Sequence, residues 1–242
     1  MKVALAFFGI TRSLKYTIHS IDAIFMNFFK KNNISYTIFL HTYSLSNYQN
    51  TRTEENLPNV DNNEYKLLNP DYIEIDNQDK IKNNICIEQY RTFPDAWNIA
   101  DYNTTDNFLL AQYSKSRVTQ MITNTNIEFD NILFIRPDCL YIRHLDLVYL
   151  QNADDISIVI PNFHLDGPFK FNDRFCITNY KTYKLYGDVF KYMLDISKKQ
   201  SLHSETVLGQ LMDSFKLKII RVPFIFKRIR CNGKCAPYDK VL

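Results

Sequence analysis

The chain contains 242 residues, 45 % of them hydrophobic and 23 % charged, and its 29 lysines and arginines nearly balance 26 aspartates and glutamates. This is the composition of a folded globular domain, and with five glycines and eight prolines it excludes collagen-like and low-complexity sequence. The net charge of +3 is spread along the chain, which argues against a nucleic-acid-binding domain and suits a small anionic ligand.

We expect a soluble, cytoplasmic protein without a transmembrane segment. The apolar run at the amino terminus is too short for the core of a signal peptide, and residues 11–13 interrupt it. No other window approaches the roughly 18 apolar residues that a membrane span requires. The five cysteines are odd in number and irregularly spaced, which is typical of reduced thiols.

The first third of the chain predicts the start of a β-α-β unit. Residues 3–8 form a continuous apolar run before Gly9, as expected for a strand buried on both faces. Apolar residues then recur at three- and four-residue steps over 14–28, which predicts an amphipathic helix. A second strand is expected over residues 34–40, and residues 41–44 would leave its carboxyl end as a polar, aromatic loop.

The middle of the chain is less regular. Residues 46–69 lack sustained periodicity, so we expect a surface excursion there, followed by a short alternating strand over residues 72–75. A helix that begins near Thr105 leads to a buried strand over residues 131–135.

The last third continues the alternation of strands and helices that is typical of an α/β fold. We expect strands over residues 156–160, 175–177 and 217–222, with helices over 181–197 and from Ser204 onward. After the last strand comes a basic tail that contains Lys227, Arg228, Arg230 and Lys234.

The strand over residues 131–135 ends in Arg136-Pro137-Asp138. Proline cannot donate a hydrogen bond to a sheet, so Arg136 and Asp138 should lie at the carboxyl end of the strand, where open α/β sheets bind ligands. A cation and a carboxylate at this place indicate a charged small molecule, with a metal ion as an option. The alternative is a structural ion pair between the two side chains.

Two other strand ends would meet the same edge of a parallel sheet. Gly9 would let a ligand approach the backbone closely, Arg12 near a helix start would favour phosphate, and Tyr43 could cover a planar base. The chain has neither the Gly-x-Gly-x-x-Gly fingerprint nor a Walker loop, which argues against dinucleotide oxidoreductases and P-loop enzymes.

Three acids are candidates for chemistry. A carboxylate such as Asp138 can hold a divalent cation that bridges to substrate phosphates. Asp173 precedes an apolar strand and could act as a general base, although a surface turn with Arg174 explains it equally well. Glu205 fits the first turn of a helix, where an anion is stabilised, and a polar contact to an acceptor or metal is the alternative.

Taken together, the motifs resemble those of a group of glycosyltransferases found in bacteria and large DNA viruses, which are similar to the GT-A fold. The resemblance covers most of the chain, to about Glu205, and rests on Phe8-Gly9-Ile10-Thr11-Arg12-Ser13, His41-Thr42-Tyr43, Gln112-Tyr113-Ser114, Phe134-Ile135-Arg136-Pro137-Asp138 and Asn172-Asp173-Arg174-Phe175.

This resemblance implies a GT-A-like (Rossmann-like) α/β fold with a mixed, mostly parallel sheet flanked by helices. It also implies transfer of a sugar from a nucleotide-sugar donor to a glycan or protein-linked acceptor, with Mn²⁺ or Mg²⁺ on the diphosphate. In a single domain, residues 1–138 would bind the nucleotide sugar and residues 139–242 the acceptor.

The resemblance assigns roles to particular residues of this chain. The metal ligand would be Asp138 alone, because Arg136 stands where the first acid of an Asp-x-Asp motif is common. The catalytic acids would be Asp173 and Glu205. The nucleotide-sugar contacts would be Phe8, Gly9, Thr11, Arg12, Thr42, Tyr43 and Arg136.

Two hypotheses from other classes remain. The first is a non-catalytic nucleotide- or carbohydrate-binding module that kept the fold and lost the two-acid metal site. The second is a nucleic-acid-binding protein that uses the basic tail, whose affinity would fall steeply with salt. The sequence leaves the donor sugar, the acceptor, the stereochemical course and the oligomeric state open.

Overall fold

The computed structural model describes residues 1–239, and within them one mixed sheet of seven strands organises the molecule. Across the sheet the strands are Lys218–Val222 (β10), Ser157–Pro161 (β8), Phe175–Asn179 (β9), Asn131–Ile135 (β6), Lys2–Phe8 (β1), Ser35–Ser44 (β2) and Tyr72–Asn77 (β5). All run in one direction except β9, which is antiparallel to its neighbours β6 and β8. The predicted mixed, mostly parallel sheet is therefore confirmed.

Two small antiparallel pairs of strands accompany this sheet. The first is a hairpin of Asn47–Asn50 (β3) and Glu55–Pro58 (β4). The second joins Cys139–Tyr141 (β7), which follows β6 directly, to Phe226–Arg228 (β11) near the carboxyl end of the described chain.

Helices flank the sheet on both sides. They are Leu14–Ile21 (α1), Asn27–Lys31 (α2), Gln78–Asn84 (α3), Asn103–Asn124 (α4), Leu147–Gln151 (α5), Tyr183–Gly187 (α6), Met193–Ser197 (α7) and Ser204–Ser214 (α8). A π-helical segment, Asp22–Met26, joins α1 to α2. No helix in the described part of the chain is long and apolar enough to cross a membrane. Cys86, Cys139, Cys176 and Cys231 are free thiols.

The core has two layers because alternate residues of a strand face opposite sides of a sheet. In β1, Ala4 and Phe8 belong to the layer under α4, whereas Leu5 and Phe7 belong to the layer under α1 and α2. Both faces of β1 are buried, as its continuous apolar sequence predicts. The sheet is thus covered on both sides, and ligands can reach it only at its edges.

The second strand is longer than its hydrophobicity predicts. The loop expected at residues 41–44 is wrong, because β2 continues through them and pairs with β5, His41 with Glu74 and Tyr43 with Asp76. The backbone hydrogen bonds of a strand form equally well whether its side chains are polar or apolar. Because the prediction followed the apolar run alone, it ended the strand too early.

Two other elements differ from expectation. Residues 46–69 contain the β3–β4 hairpin rather than an excursion without regular structure. The helix expected over residues 181–197 is divided into α6 and α7, with Asp188 between them. The Asp188 carboxylate accepts hydrogen bonds from Ser116 Oγ (2.6 Å) and Lys191 Nζ (3.0 Å), an alternative to helical backbone pairing.

The direction of β9 positions the candidate site. Because β9 is antiparallel, it begins at the edge where the parallel strands end, and its first residue, Phe175, pairs with Ile135 at the end of β6. Asp173 and Arg174, which precede β9, are therefore brought to the same edge as Arg136, which follows β6.

Candidate functional site

A cavity of about 830 Å³ lies at the carboxyl edge of the parallel strands. Its walls come from the strand ends of the central sheet, from the β3–β4 hairpin, from α4, from the segment before β9, from the start of α8, and from the end of β11 with the chain after it. It is lined by eight of the residues that the sequence singles out: Phe8, Gly9, Arg12, Tyr43, Arg136, Asp138, Asp173 and Glu205.

Thr11 and Thr42 are buried and do not belong to the described lining of this cavity. The alternation of side chains along β2 explains the position of Thr42, which must face the opposite side of the sheet from Tyr43. The nucleotide-contact roles of both threonines stay predictions.

Arg136 and Asp138 form a bidentate ion pair. Arg136 Nε donates to Asp138 Oδ1 at 2.9 Å, and Arg136 Nη2 donates to Oδ2 at 2.5 Å. Asp138 is only 4 % exposed. Desolvation by burial favours a higher pKa for Asp138, but the guanidiniums of Arg136 and Arg12 outweigh it and lower the pKa to about 2. This carboxylate is therefore ionised at neutral pH, and each of its oxygens has a guanidinium donor.

Asp173, Arg174 and Glu205 form a second charged group on the cavity wall. Arg174 Nη2 donates to Glu205 Oε1 at 3.0 Å, and Ser204 Oγ donates to Glu205 Oε2. Asp173 Oδ1 lies 3.4 Å from Arg174 Nη1 but has no hydrogen-bond partner among residues 1–239. Glu205 is thus engaged at both oxygens, whereas Asp173 Oδ1 is held by the charge of Arg174 without a hydrogen bond.

The pKa of Asp173 is lowered despite its burial. Desolvation favours a higher value, but the positive charges of Arg174 and Arg136 more than compensate for it. The carboxylate is therefore negatively charged at neutral pH, in the state that can accept a proton.

Glu55 ties the β3–β4 hairpin to the rest of the cavity wall. Its carboxylate lies 3.4 Å from Arg12 Nη2 and 3.2 Å from Arg230 Nη1, and it accepts a hydrogen bond from the Cys231 backbone N–H at 2.9 Å. One buried acid thus connects the turn after β1, the hairpin and the chain after β11. The sequence offers no signal for this contact, because Glu55 lies in a segment without periodicity.

Further lining residues come from segments that the sequence analysis did not assign to the site. Arg52, at the tip of the hairpin, stacks on Trp97 with 4.0 Å between its Cζ and the ring centroid. Arg228 and Arg230 of the basic tail also line the cavity. The only sequence signal was the clustering of cations in that tail.

Strand pairing explains why the basic tail reaches the site. Arg228 at the end of β11 pairs with Cys139 at the start of β7, and the Ile229 backbone N–H donates to Asp138 O at 2.8 Å. The Arg228 side chain is held by Asp239, with Nε···Oδ2 and Nη2···Oδ1 distances of 2.9 and 2.7 Å.

The described part of the cavity wall carries six guanidinium groups, those of Arg12, Arg52, Arg136, Arg174, Arg228 and Arg230. Aromatic rings of Tyr43, Tyr48 and Trp97 lie on the same wall. Guanidiniums bind phosphate bidentately and remain charged at any physiological pH. A wall that combines them with aromatic faces can hold a ligand with an anionic and a planar part.

A buried cation, Lys115, lies close enough to Asp173 to be affected by its charge. Lys115 is fully buried on α4, and its Nζ lies 3.8 Å from the centroid of the Tyr186 ring. Neither Lys115 Nζ nor Tyr186 OH has a hydrogen-bond partner in the described residues. Desolvation lowers the pKa of Lys115 to about 7, although the negative charge of Asp173 opposes this shift.

The metal expected at Asp138 does not fit the donor set there, because both oxygens of that carboxylate accept hydrogen bonds from Arg136. A group that could hold a metal ion lies elsewhere. It consists of His41, Glu74 and Asp76, whose candidate ligand atoms are within 4.8 Å of one another. These three residues are outside the described cavity lining, and Glu74 already accepts a hydrogen bond from Arg117 at 2.7 Å.

No protein-family model matches the chain, and no curated protein matches it. Among solved structures it is similar to an active-site mutant of LgtC, with a TM-score of 0.49, 12 % identity and coverage of 92 % of this chain and 72 % of that one. Galactosyltransferase LgtC in complex with donor and acceptor sugar analogues matches with a TM-score of 0.47, 13 % identity and coverage of 92 % and 73 %.

Mouse xyloside xylosyltransferase 1 in its apo form matches with a TM-score of 0.44, 12 % identity and coverage of 92 % of this chain and 85 % of that one. The matched structures are thus glycosyltransferases. At these identities and with TM-scores below 0.5, the matches establish no activity for this chain.

Proposed function

We propose that this protein is a glycosyltransferase that moves a sugar from a nucleotide-diphosphate sugar to a hydroxyl group of a glycan or protein-linked acceptor. The observation that carries the proposal is one cavity of about 830 Å³ whose wall combines guanidiniums, aromatic rings and an ionised carboxylate, that of Asp173. Each of the three features matches one part of the reaction.

The nucleoside is proposed to bind at the ends of β1 and β2. Gly9 has a φ of 100°, which glycine adopts without strain, and open space lies where a side chain would project. A ligand can therefore approach the backbone there. The Tyr43 ring is fixed nearby, because its hydroxyl donates to Leu110 O at 2.7 Å, and offers a flat apolar face to a base.

The diphosphate is proposed to bind among the guanidiniums. When the bond between the anomeric carbon and the phosphate oxygen breaks, its electron pair remains on the leaving nucleoside diphosphate. Fixed positive charges around that oxygen stabilise the charge that develops on it. Residues 1–138 are proposed to bind most of the nucleotide sugar and residues 139–242 the acceptor, while Arg228 and Arg230 of the second half also reach the diphosphate.

Asp173 is proposed to accept the proton of the attacking hydroxyl as its oxygen forms a bond to the anomeric carbon. The support is its ionised state and its place in the cavity lining. Glu205 is the weaker candidate for this role because both of its oxygens are engaged. We assign it the role of positioning Arg174, and through Arg174 the Asp173 carboxylate.

The test measures the turnover of a panel of nucleotide sugars in the presence of mixed glycan acceptors. The release of nucleoside diphosphate reports this turnover. Asp173→Asn removes the proton acceptor and should lower kcat by about 10²–10⁴-fold. Its Kd for the released nucleoside diphosphate should remain close to that of the wild type. Asp195→Asn, at an exposed position on α7, serves as the matched control and should leave both quantities unchanged.

The second candidate function is a non-catalytic nucleotide- or carbohydrate-binding module. The observation that favours it is the engagement of both Asp138 oxygens by Arg136 at the place expected for a metal ligand. Nucleoside diphosphate binding without turnover of any donor in the panel would establish this function and exclude the transferase.

A further inference from the structure

The Arg136–Asp138 ion pair raises the question of which groups neutralise a bound diphosphate. In the described chain, the one group of His, Cys, Asp and Glu side chains that could hold a metal consists of His41, Glu74 and Asp76. It does not belong to the described cavity lining. Arginine side chains of the cavity wall, by contrast, can place positive charge opposite a diphosphate.

Arg52 is a cation placed in the cavity without an acidic partner. Its guanidinium stacks on the Trp97 ring at 4.0 Å, and it forms no ion pair with any residue from 1 to 239. Its electrostatic neighbours include Arg228 and Arg230, which are also cations, and Glu205. A guanidinium held close to two others in this way is suited to bind an anion.

Arg228 and Arg230 are each held in place by an acid. Asp239 holds Arg228 through two hydrogen bonds, and Glu55 lies 3.2 Å from Arg230 Nη1. The long arginine side chains are therefore ordered before any ligand arrives, and a ligand does not have to fix all their rotamers on binding.

Repulsion among these arginines also favours an anion between them. Desolvation, and then repulsion from neighbouring arginines, lowers the pKa of Arg52; desolvation likewise lowers the pKa of Arg230, although the charge of Glu55 opposes it. Both groups remain fully charged at neutral pH. An anion between them would relieve repulsion that the folded protein otherwise retains.

We infer that the guanidinium groups of Arg52, Arg228 and Arg230, here called the arginine cradle, bind the diphosphate of the donor in place of a divalent cation. This inference rests on the proposed function and specifies how its donor is held. The two negative charges on the diphosphate of a nucleotide sugar would meet Arg52, which has no acidic partner within the described chain, together with Arg228 and Arg230, whose charges Asp239 and Glu55 partly offset. Donor binding therefore requires no Mn²⁺ or Mg²⁺.

The experiment is isothermal titration calorimetry of the full chain with UDP, GDP, CDP and ADP, each in excess EDTA and again in excess MnCl₂. The best-bound nucleotide should have the same Kd, within about threefold, in both conditions, a difference of less than 1 kcal/mol. Arg52→Gln should raise that Kd about tenfold or more in both conditions, since it removes charge-assisted hydrogen bonds.

Arg52 is suited to substitution because it is exposed and no acid depends on it. Arg143→Gln is the matched control, at an exposed position outside the cavity lining, and should leave Kd unchanged. A thermal melt of each variant confirms that it is folded. The comparison of EDTA with MnCl₂ uses the wild type alone and does not depend on any variant.

Three outcomes would count against the inference, and they separate it from the proposed function. Binding only in MnCl₂ overturns the arginine cradle while leaving a nucleotide-sugar enzyme in place. Equal binding by wild type and Arg52→Gln also overturns the cradle alone. Failure of every nucleotide to bind in either condition overturns the proposed function and the cradle with it.

Discussion

Lys115 is a cation in the layer of core between α4 and the sheet. Its amine is fully buried against the Tyr186 ring, and no hydrogen-bond partner for it lies within the described chain. Burial of an unpaired ammonium is costly, and the group responds by a fall of its pKa to about 7. At neutral pH the side chain is therefore divided between its charged and neutral forms.

The stability of the protein should consequently depend on pH through Lys115. Its pKa is about 7 in the folded state and near 10.5 when unfolded, so between these values the unfolded chain binds more protons. The free energy of unfolding should rise with pH in this window, by at most about 1.4 kcal/mol per unit. Lys115→Met should abolish this part of the slope and stabilise the protein at pH 7.

Urea unfolding at several pH values from 7 to 9 measures this effect. Lys184→Met is the control. Like Lys115, Lys184 lies beside a tyrosine ring, with 5.6 Å between its Nζ and the centroid of the Tyr183 ring, but it is exposed. The control should keep the wild-type slope. If Lys115→Met also keeps it, the amine is not responsible for the pH dependence.

At the scale of single residues, the sequence predicts those site residues that lie next to a strand end marked by the end of an apolar run. Arg136 and Asp138 are found in this way, and so is Gly9, because apolar runs fix where β6 and β1 stop. The pairing of Arg136 with Asp138 is one of two readings that the sequence leaves open. Arg52 was not predicted, because its contact with Trp97 spans segments that have no periodicity.

At the scale of elements, buried strands were predictable and their directions were not. The apolar runs of β1, β6 and β8 reveal each strand, because burial on both faces demands apolar residues throughout. The antiparallel direction of β9 depends on pairing with strands distant in the chain, which no local pattern encodes. That direction brings Asp173 to the cavity, so this part of the site depends on the tertiary structure.

Helix α8 and the segment before β9 support the charged group from two sides. The Gly209 Cα faces Phe169, and a Cβ at this position would collide with the Phe169 Cβ and lie 3.0 Å from its Cγ. Glycine is therefore required here for close packing. Because Phe169 precedes Asp173 and α8 carries Glu205, this contact sets the distance between the two elements that bear the acids.

Gly209→Ala should therefore destabilise the protein by about 1–3 kcal/mol, the usual range for overpacking a filled site. It should also lower kcat by displacing Glu205 and Asp173 relative to each other. Urea unfolding and donor turnover measure the two effects.

Gln210→Ala, at the next and exposed position of α8, is the control for Gly209→Ala. It should change the free energy of unfolding by about 0.5 kcal/mol or less. Wild-type stability and kcat in Gly209→Ala would show that the segment around Phe169 can move without consequence for the site.

At the scale of the whole molecule, arginines are concentrated at one cavity of a nearly neutral chain. The net charge is only +3, yet six arginines line the part of the cavity that the structure describes. Arg228 and Arg230 of the basic tail face this cavity and are paired with Asp239 and Glu55. We therefore expect the tail to serve a small ligand rather than a nucleic acid.

This charge distribution predicts how ligands change the melting temperature of the whole chain. A nucleoside diphosphate at 100 times its Kd should stabilise the native state by about 2.7 kcal/mol. For a chain of this size that corresponds to a rise in Tm of roughly 5–10 °C. Differential scanning fluorimetry in EDTA measures it. Added NaCl should reduce the shift, since salt screens the exposed guanidinium of Arg52.

The same assay separates recognition of a complete nucleotide from binding of any anion. Inorganic pyrophosphate should give a smaller shift than the nucleoside diphosphate, because it lacks the base that would contact Tyr43. A single-stranded oligonucleotide should give none, because guanidiniums grouped in one cavity cannot follow an extended backbone. A larger shift with the oligonucleotide would assign the arginines to nucleic-acid binding instead.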